Sequence, residues 1–251
     1  MPNKFSIVII CCNAAEGIDR TLNSIRGLSN DVVIYDSGST DSTIRVAEDM
    51  GFTVHRGPWL GFGATRRAAT LLAKNDWVFC VDTDEWIGTY LTDELMAWEP
   101  EPGTAWRLRL RNHLGKRLIK WGSWGNDYRI RLFNRLEANW NDALIHEKVV
   151  PNKKLSIDTL RGSIIHRTAR SLREYRRKLE SYAELTAESY RAQGRKATLG
   201  KRLLSPLVTF CKDYFLKLGF LEGKVGFQLA WLAANYTSKK YQYLSASAAR
   251  N

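Results

Sequence analysis

Residues 5–12 are apolar at all but one position, Phe5-Ser6-Ile7-Val8-Ile9-Ile10-Cys11-Cys12. An unbroken β-prone run of this kind predicts a strand buried on both faces, as in a parallel sheet. The spacing then becomes helical, with Ile18, Leu22 and Ile25 on one face of a helix over 16–28. The two patterns keep alternating. Strands are predicted over 31–35, 52–55 and 77–81, and helices over 43–50 and 62–73. Alternation of this length predicts βαβ units and a sheet covered by helices on both sides.

After residue 85 the pattern loosens. A short helix over 92–98 is stopped by Pro100, Pro102 and Gly103. Strands are predicted over 104–110, 128–133, 144–150 and 163–166. An aromatic, Gly-bearing loop, Lys120-Trp121-Gly122-Ser123-Trp124-Gly125-Asn126-Asp127-Tyr128, lies among them. Helical spacing returns over 171–193, 199–218 and 227–235, with a break at 219–226. The expected organisation is an α/β domain over 1–166 followed by a helical extension over 167–251.

The chemistry concentrates at one strand end. The apolar Trp77-Val78-Phe79-Cys80-Val81 runs into Asp82-Thr83-Asp84-Glu85, three carboxylates in four residues. Open α/β sheets keep their ligands at the carboxyl ends of the strands. Carboxylates this close raise one another's pKa unless a cation joins them. Oxygen ligands suit Mg²⁺ or Mn²⁺, which leave part of their coordination to water and phosphate. The stretch therefore reads as a metal and phosphate site or, equally, as a solvated acidic turn. No Gly-x-Gly-x-x-Gly follows the first strand and no Gly-x-x-x-x-Gly-Lys-Ser/Thr is present, which argues against a dinucleotide fold and a P-loop.

Charge adds a second theme. The net charge of +12 sits in the last third, where residues 167–251 hold 17 Lys and Arg against 6 Asp and Glu. Anionic membrane, nucleic acid and a phosphorylated acceptor are the partner classes such a surplus admits. Nucleic acid is disfavoured, because no recognised binding motif accompanies the charge. Lys and Arg mixed with Phe, Leu and Tyr on helices suit a lipid surface. Four cysteines, two of them adjacent, form no disulfide framework and no metal-type pair, which points to a reducing, cytoplasmic setting. Neither a signal peptide nor a membrane-spanning run is expected.

Three strand ends meet in such a sheet: Cys11-Cys12-Asn13, Asp36-Ser37-Gly38-Ser39-Thr40-Asp41 and Asp82-Thr83-Asp84-Glu85. Together they resemble the family 2 glycosyltransferases of the GT-A fold. The family's Asp-x-Gly-Ser-x-Asp and Asp-x-Asp-Asp/Glu are matched at every fixed position. The strand-1 end departs from it, with Ala14 where an acid is usual, and so does Arg67, where Asn is common. Gly61-Phe62-Gly63-Ala64-Thr65-Arg66-Arg67-Ala68-Ala69, Arg131-Leu132-Phe133, His146-Glu147, Lys178-x-x-x-Tyr182 and Gly219-Phe220-Leu221-Glu222-Gly223 are similar to the lipopolysaccharide core β-glucosyltransferase branch, and the likeness covers nearly the whole chain.

The resemblance implies a GT-A, Rossmann-like, mixed or mostly parallel sheet, with a donor half over 1–100, an acceptor half over 101–166 and a C-terminal helical extension. It implies an inverting, metal-dependent transfer of a hexose, glucose from UDP-glucose, to an inner-core heptose. The setting would be the inner face of the inner membrane, with the protein held there peripherally. Asp84 would hold Mg²⁺ or Mn²⁺, with Asp82 on the metal or the ribose and His166 completing the metal's ligands. Asp36 would bind the nucleobase, flanked by Cys11 and Asn13 and by Ser37 and Gly38 of its own turn. Arg66 would reach the donor phosphate, and Glu85 would support the metal or face the sugar. Inversion needs a carboxylate base for the acceptor hydroxyl; Glu147 is the first candidate, then Asp127, with Asp142 also available. Trp121 and Trp124 are either sugar-stacking or core residues. The alternatives are transfer to another envelope glycan, a metal-dependent nucleotidyltransferase, which typically carries a basic Gly-rich loop that Asn13-Ala14-Ala15-Glu16-Gly17 lacks, and a non-catalytic membrane-binding module.

Overall fold

A computed structural model describes residues 4–143 and 147–246. The first half alternates as the periodicity requires: β1 (Ser6–Cys11), α1 (Ile18–Ile25), β2 (Val32–Asp36), α2 (Thr43–Asp49), β3 (Val54–Arg56), α3 (Phe62–Leu71) and β4 (Trp77–Cys80). Then come β5 (Glu85–Ile87), α4 (Thr89–Ala97), β6 (Thr104–Leu114), β7 (Arg117–Leu118), β8 (Asp127–Asn134), β9 (Ala138–Trp140), β10 (Val149–Pro151) and β11 (Ser156–Ala169). Three helices follow, α5 (Leu172–Ala192), α6 (Leu199–Cys211) and α7 (Lys224–Ala246).

Among the described residues the main sheet runs β3-β2-β1-β4-β8-β6-β11-β5, with β7 beside β6. It is mixed. β3, β2, β1 and β4 are parallel, while β8 joins β4 and β5 joins β11 antiparallel. Alternation along β1 explains its continuous apolar character. Ile7, Ile9 and Cys11 enter one core with Ile18, Leu22 and Ile25 of α1. Val8 and Ile10 enter a second core on the opposite face with Ala69 of α3 and Phe133 of β8. Each fully buried aliphatic side chain of this kind contributes about 1.5–3 kcal/mol. In β6 the alternation is one-sided: Trp106, Leu108 and Leu110 are buried, whereas Arg107 and Arg109 face out. Trp106 meets Trp77 and Trp98 edge-on, with centroids 5.3 and 5.1 Å away.

Several elements differ from the sequence expectation. β5 is too short to show periodicity, and it exists because β11 pairs with it, placing His166 opposite Glu85. The strand expected over 163–166 lies within a 14-residue one. The last helix extends over 23 residues, well beyond the apolar core of its pattern. The strand expected over 144–150 is described only as Val149–Pro151; residues 144–146, with His146, lie outside the described residues.

The chain forms two compact units, Met1–Leu110 with Tyr128–His166, and Arg111–Asp127 with Arg167–Asn251. The sequence pattern suggested a single boundary after residue 166. The Trp-Gly loop groups with the C-terminal helices because their buried carboxylates hold its backbone. Glu222 accepts from the N–H groups of Lys120 (2.6 Å) and Trp121 (3.2 Å), and Asp213 accepts from that of Ser123.

Candidate active site

The acidic turn leaves β4 and is tied down from beneath. Thr21, on the buried face of α1, donates its hydroxyl towards the carbonyls of Thr83 (3.0 Å) and Glu85 (2.7 Å). The Glu85 amide donates back to Asp82 O, and the Asp82 amide donates to Glu85 Oε2, both at 3.0 Å. The three carboxylates therefore diverge. Glu85 is fully buried, Asp82 is partly buried and Asp84 stands at the surface, its side chain 39% exposed.

Two buried arginines meet this turn. Arg66, on α3, donates through Nη2 to Asp82 Oδ1 (2.6 Å) and through Nε to Glu147 Oε1 (2.9 Å), with its guanidinium 4.9 Å from the centre of the Trp140 ring. Arg131, on β8, donates to Asp82 Oδ2 (3.0 Å) and to Glu85 Oε1. Burial by itself would raise the Asp82 carboxyl, but Arg66 and then Arg131 hold it well below the usual carboxylate range. Burial pushes Glu85 up, against the pull of Arg131. Arg131 stays firmly charged: burial opposes its charge, but Glu85 and Asp82 outweigh that effect. Arg131 Nε is buried with no acceptor among the described residues.

Asp84 pairs differently. Its Oδ2 lies 3.3 Å from His166 Nε2, a contact created by the β5–β11 register. Two neighbouring ligands of an octahedral ion with bonds of about 2.1 Å stand roughly 3 Å apart, so this carboxylate–imidazole pair fits two corners of a Mg²⁺ or Mn²⁺ shell. Asp82, expected as a third ligand, gives both its oxygens to guanidinium groups. Among the described residues no three His, Cys, Asp or Glu are grouped to hold a metal.

The neighbouring strand ends, β1 and β2, carry a second set of candidate residues. Asp36, only 2% exposed, accepts through Oδ1 from the amides of Gly38 (3.0 Å) and Ser39 (2.9 Å), while the Cys11 thiol lies 3.5 Å from Oδ2. Burial raises the Asp36 carboxyl, but the hydrogen bonds from Ser39, with those of Gly38 and Cys11, bring it down on balance. Ser37 donates its amide and hydroxyl to Cys11 O (2.9 and 3.0 Å). Asn13 sits at φ +50° and closes the turn, its Oδ1 accepting from the Thr40 amide (2.9 Å). A nucleobase-reading carboxylate was expected at Asp36; here it braces the Gly38–Ser39 turn, whose outer rim is exposed.

The structure thus brings Asp82, Asp84, Glu85, Arg66, Glu147 and His166 into one unit, with Cys11, Asn13, Asp36, Ser37 and Gly38 on the adjoining strand ends. Arg66, expected at the donor phosphate, faces inward from α3 and donates to two carboxylates, Asp82 and Glu147. Glu85 is fully buried, its carboxylate accepting from the Asp82 amide and from Arg131. Asp127 belongs to the other unit, where Asn112 approaches it at 3.5 Å. Asp142 is exposed and paired with Arg67. Trp124 meets Tyr175 edge-on and donates to its hydroxyl (3.3 Å), whereas Trp121 is 41% exposed. Two participants received no role from the sequence, Arg131 and Thr21. Each had a signal: a cation inside the Ile130-Arg131-Leu132-Phe133 run, and a hydroxyl on the Ile18–Leu22–Ile25 face.

Parallel strands with an acidic turn at their carboxyl ends, continued by antiparallel strands, define the GT-A, Rossmann-like class of α/β transferase. The profile of Glycosyl transferase family 2 matches residues 6–146. The chain belongs to that family, and is by that membership an enzyme that transfers a glycosyl group. An uncharacterized glycosyltransferase of Rickettsia bellii is 28% identical over 242 residues, covering 90% of this chain and 81% of its own. The lipopolysaccharide core biosynthesis glycosyltransferase LpsC of Rhizobium meliloti is 27% identical over 257 residues, covering 94% of this chain and 92% of its own. Among solved structures, S. aureus TarS 1–349 aligns over 98% of this chain and 91% of its own, with 13% identity and a TM-score of 0.45.

Proposed function

We propose that the chain is a metal-dependent, inverting glycosyltransferase that moves a hexose, glucose from UDP-glucose, onto a heptose of the lipopolysaccharide inner core. The observation that carries this reading is the division of labour in the acidic turn. Asp82 and Glu85 are held by arginines, while Asp84 is left at the surface beside His166. The name and near-full coverage of the Rhizobium meliloti relative support the lipopolysaccharide acceptor.

Electrostatics support the metal. Arg66 and Arg131 face Asp82, Glu85 and Glu147, and Asp84 adds a further carboxylate. A pocket with more carboxylates than guanidiniums repels a diphosphate unless a cation is added. Asp84 and His166 would hold that ion, whose chemistry is to neutralise charge developing on the departing nucleoside diphosphate. Asn13, Ser37 and Gly38 shape the rim for the nucleoside, and Asp36 and Cys11 keep that rim in place. Arg66 and Arg131 fix Asp82 at the edge of the donor pocket. Glu147 takes the proton of the acceptor hydroxyl. Arg66 Nε donates to Glu147 Oε1 at 2.9 Å and so holds the carboxylate in position. A peripheral site at the cytoplasmic, anionic face of a membrane would present a lipid-linked acceptor to this pocket.

Purified protein given several nucleotide sugars with Mn²⁺ or Mg²⁺ should release nucleoside diphosphate, fastest from UDP-glucose. Asp84→Ala should abolish release and metal-dependent nucleotide binding. Glu147→Gln should keep donor binding and lose transfer by about 10²-fold or more; near-normal transfer would move the base to Asp127 or Asp142. No release from any donor, with acceptor extract present, would sink the transferase reading.

A further inference from the structure

The most exposed apolar surface in the second unit belongs to α6. None of its 13 residues is buried. Leu199, Leu203 and Leu207 recur at four-residue intervals and are 73, 73 and 59% exposed. Leu204 and Val208 widen that stripe to about half of the helix circumference. Beyond α6 the chain takes one turn with wider, i→i+5 spacing over Lys212–Leu216, which turns Asp213 inward and leaves Phe215 and Leu216 outside, Leu216 at 80% exposure. Contiguous exposed apolar surface of this kind marks a binding face rather than a solvated one.

The charges around the stripe identify the partner. Residues 195–224 carry seven Lys and Arg and two acids, Asp213 and Glu222. Both acids are buried at 6% exposure and hold the backbone of the Trp-Gly loop. Every exposed charge of the segment is therefore positive, among them Lys201 and Arg202, which at helical spacing border the apolar stripe of α6 on its two sides. A protein partner of mixed charge would leave these cations unmatched. A flat anionic bilayer matches both features, taking leucines below the headgroups and cations among the phosphates. No described helix is long and apolar enough to cross a membrane, so the stripe would lie in the interface plane.

We propose that α6, continued through Phe215 and Leu216, is an in-plane anchor that seats the protein on an anionic lipid surface. This deepens the membrane-side reading above and rests on it.

The test is co-sedimentation of the full chain with vesicles of phosphatidylglycerol mixed with phosphatidylcholine, and of phosphatidylcholine alone. The wild type should sediment with the anionic vesicles, less so as salt rises, and poorly with the neutral ones. The double variant L203E/L207E, at exposed positions, should keep its circular dichroism and lose vesicle affinity by about tenfold or more. K201E/R202E should lose affinity for the anionic vesicles alone. Wild-type protein that binds neither vesicle, or an L203E/L207E variant that binds as well as wild type, would overturn the anchor. So would a wild-type dimer that this variant splits into monomers without any vesicle binding, since the occupant would then be a second copy. Donor hydrolysis without lipid, measured on the same preparations, separates the two claims. An active protein that ignores vesicles sinks the anchor alone. A vesicle-binding protein that hydrolyses no donor sinks the transferase reading alone.

Discussion

The residue that does most to fix the site is Arg131. Its guanidinium pairs with the buried Glu85 and shares Asp82 with Arg66. Replacing one partner of a buried pair leaves its charge uncompensated, at a cost of about 3–5 kcal/mol. Arg131→Met should therefore lower the urea midpoint strongly and abolish donor turnover. Asp82 gives a pH signature. Its folded-state pKa is depressed, so its contribution is present above the ordinary carboxylate range and is lost as pH falls through the lowered value. Asp82→Asn should cost most at neutral pH, and the deficit against wild type should shrink in strong acid, as measured by urea titrations at both pH values. The cysteines provide a second check. Burial keeps the Cys11 thiol protonated and pushes Cys80 up to about 11, whereas Cys12 is exposed. Ellman's reagent at mildly alkaline pH should label Cys12 promptly, and Cys11 and Cys80 only after denaturation.

At the scale of elements, the packing of α3 on residues 141–143 is what brings Glu147 to Arg66. Gly63, in the first turn of α3, donates its N–H to Ala143 O (3.1 Å). A Cβ there would stand 1.8 Å from Asn141 O. Gly63→Ala should destabilise the protein by about 1–3 kcal/mol and reduce transfer more than donor binding. Thermal denaturation and a comparison of transfer with nucleotide affinity check both parts. The repeated Gly61-Phe62-Gly63 stands out in the sequence, but its reason does not. It lies in a backbone 78 positions further on, and no local propensity encodes that approach.

At the scale of the whole molecule, the donor residues and the basic helices belong to different units. Donor hydrolysis should therefore be indifferent to the lipid-facing variants: L203E/L207E should hydrolyse the nucleotide sugar within about twofold of wild type in the absence of vesicles. Chelation should act on the first unit alone, stopping hydrolysis and leaving vesicle sedimentation unchanged. The excess of positive charge in residues 167–251 was visible in the sequence. That the two acids of residues 195–224 are turned inward, so that only cations face out, was not.

The sequence by itself determined the alternating first half, the strand ends that carry Asp36 and Asp82 to Glu85, and the family those motifs resemble. Strand and helix periods are local, and they survive in a single reading of the chain. The tertiary structure decided which carboxylate of the acidic turn is left at the surface. Asp82 meets Arg66 and Arg131 across 16 and 49 positions, and Arg66 meets Glu147 across 81. Pairings over such distances depend on sheet register and helix packing, so charges that look equivalent in Asp82-Thr83-Asp84-Glu85 acquire different environments. The same reason places residues 111–127 with the C-terminal helices: two buried carboxylates about 90 to 100 positions away hold that loop's amides.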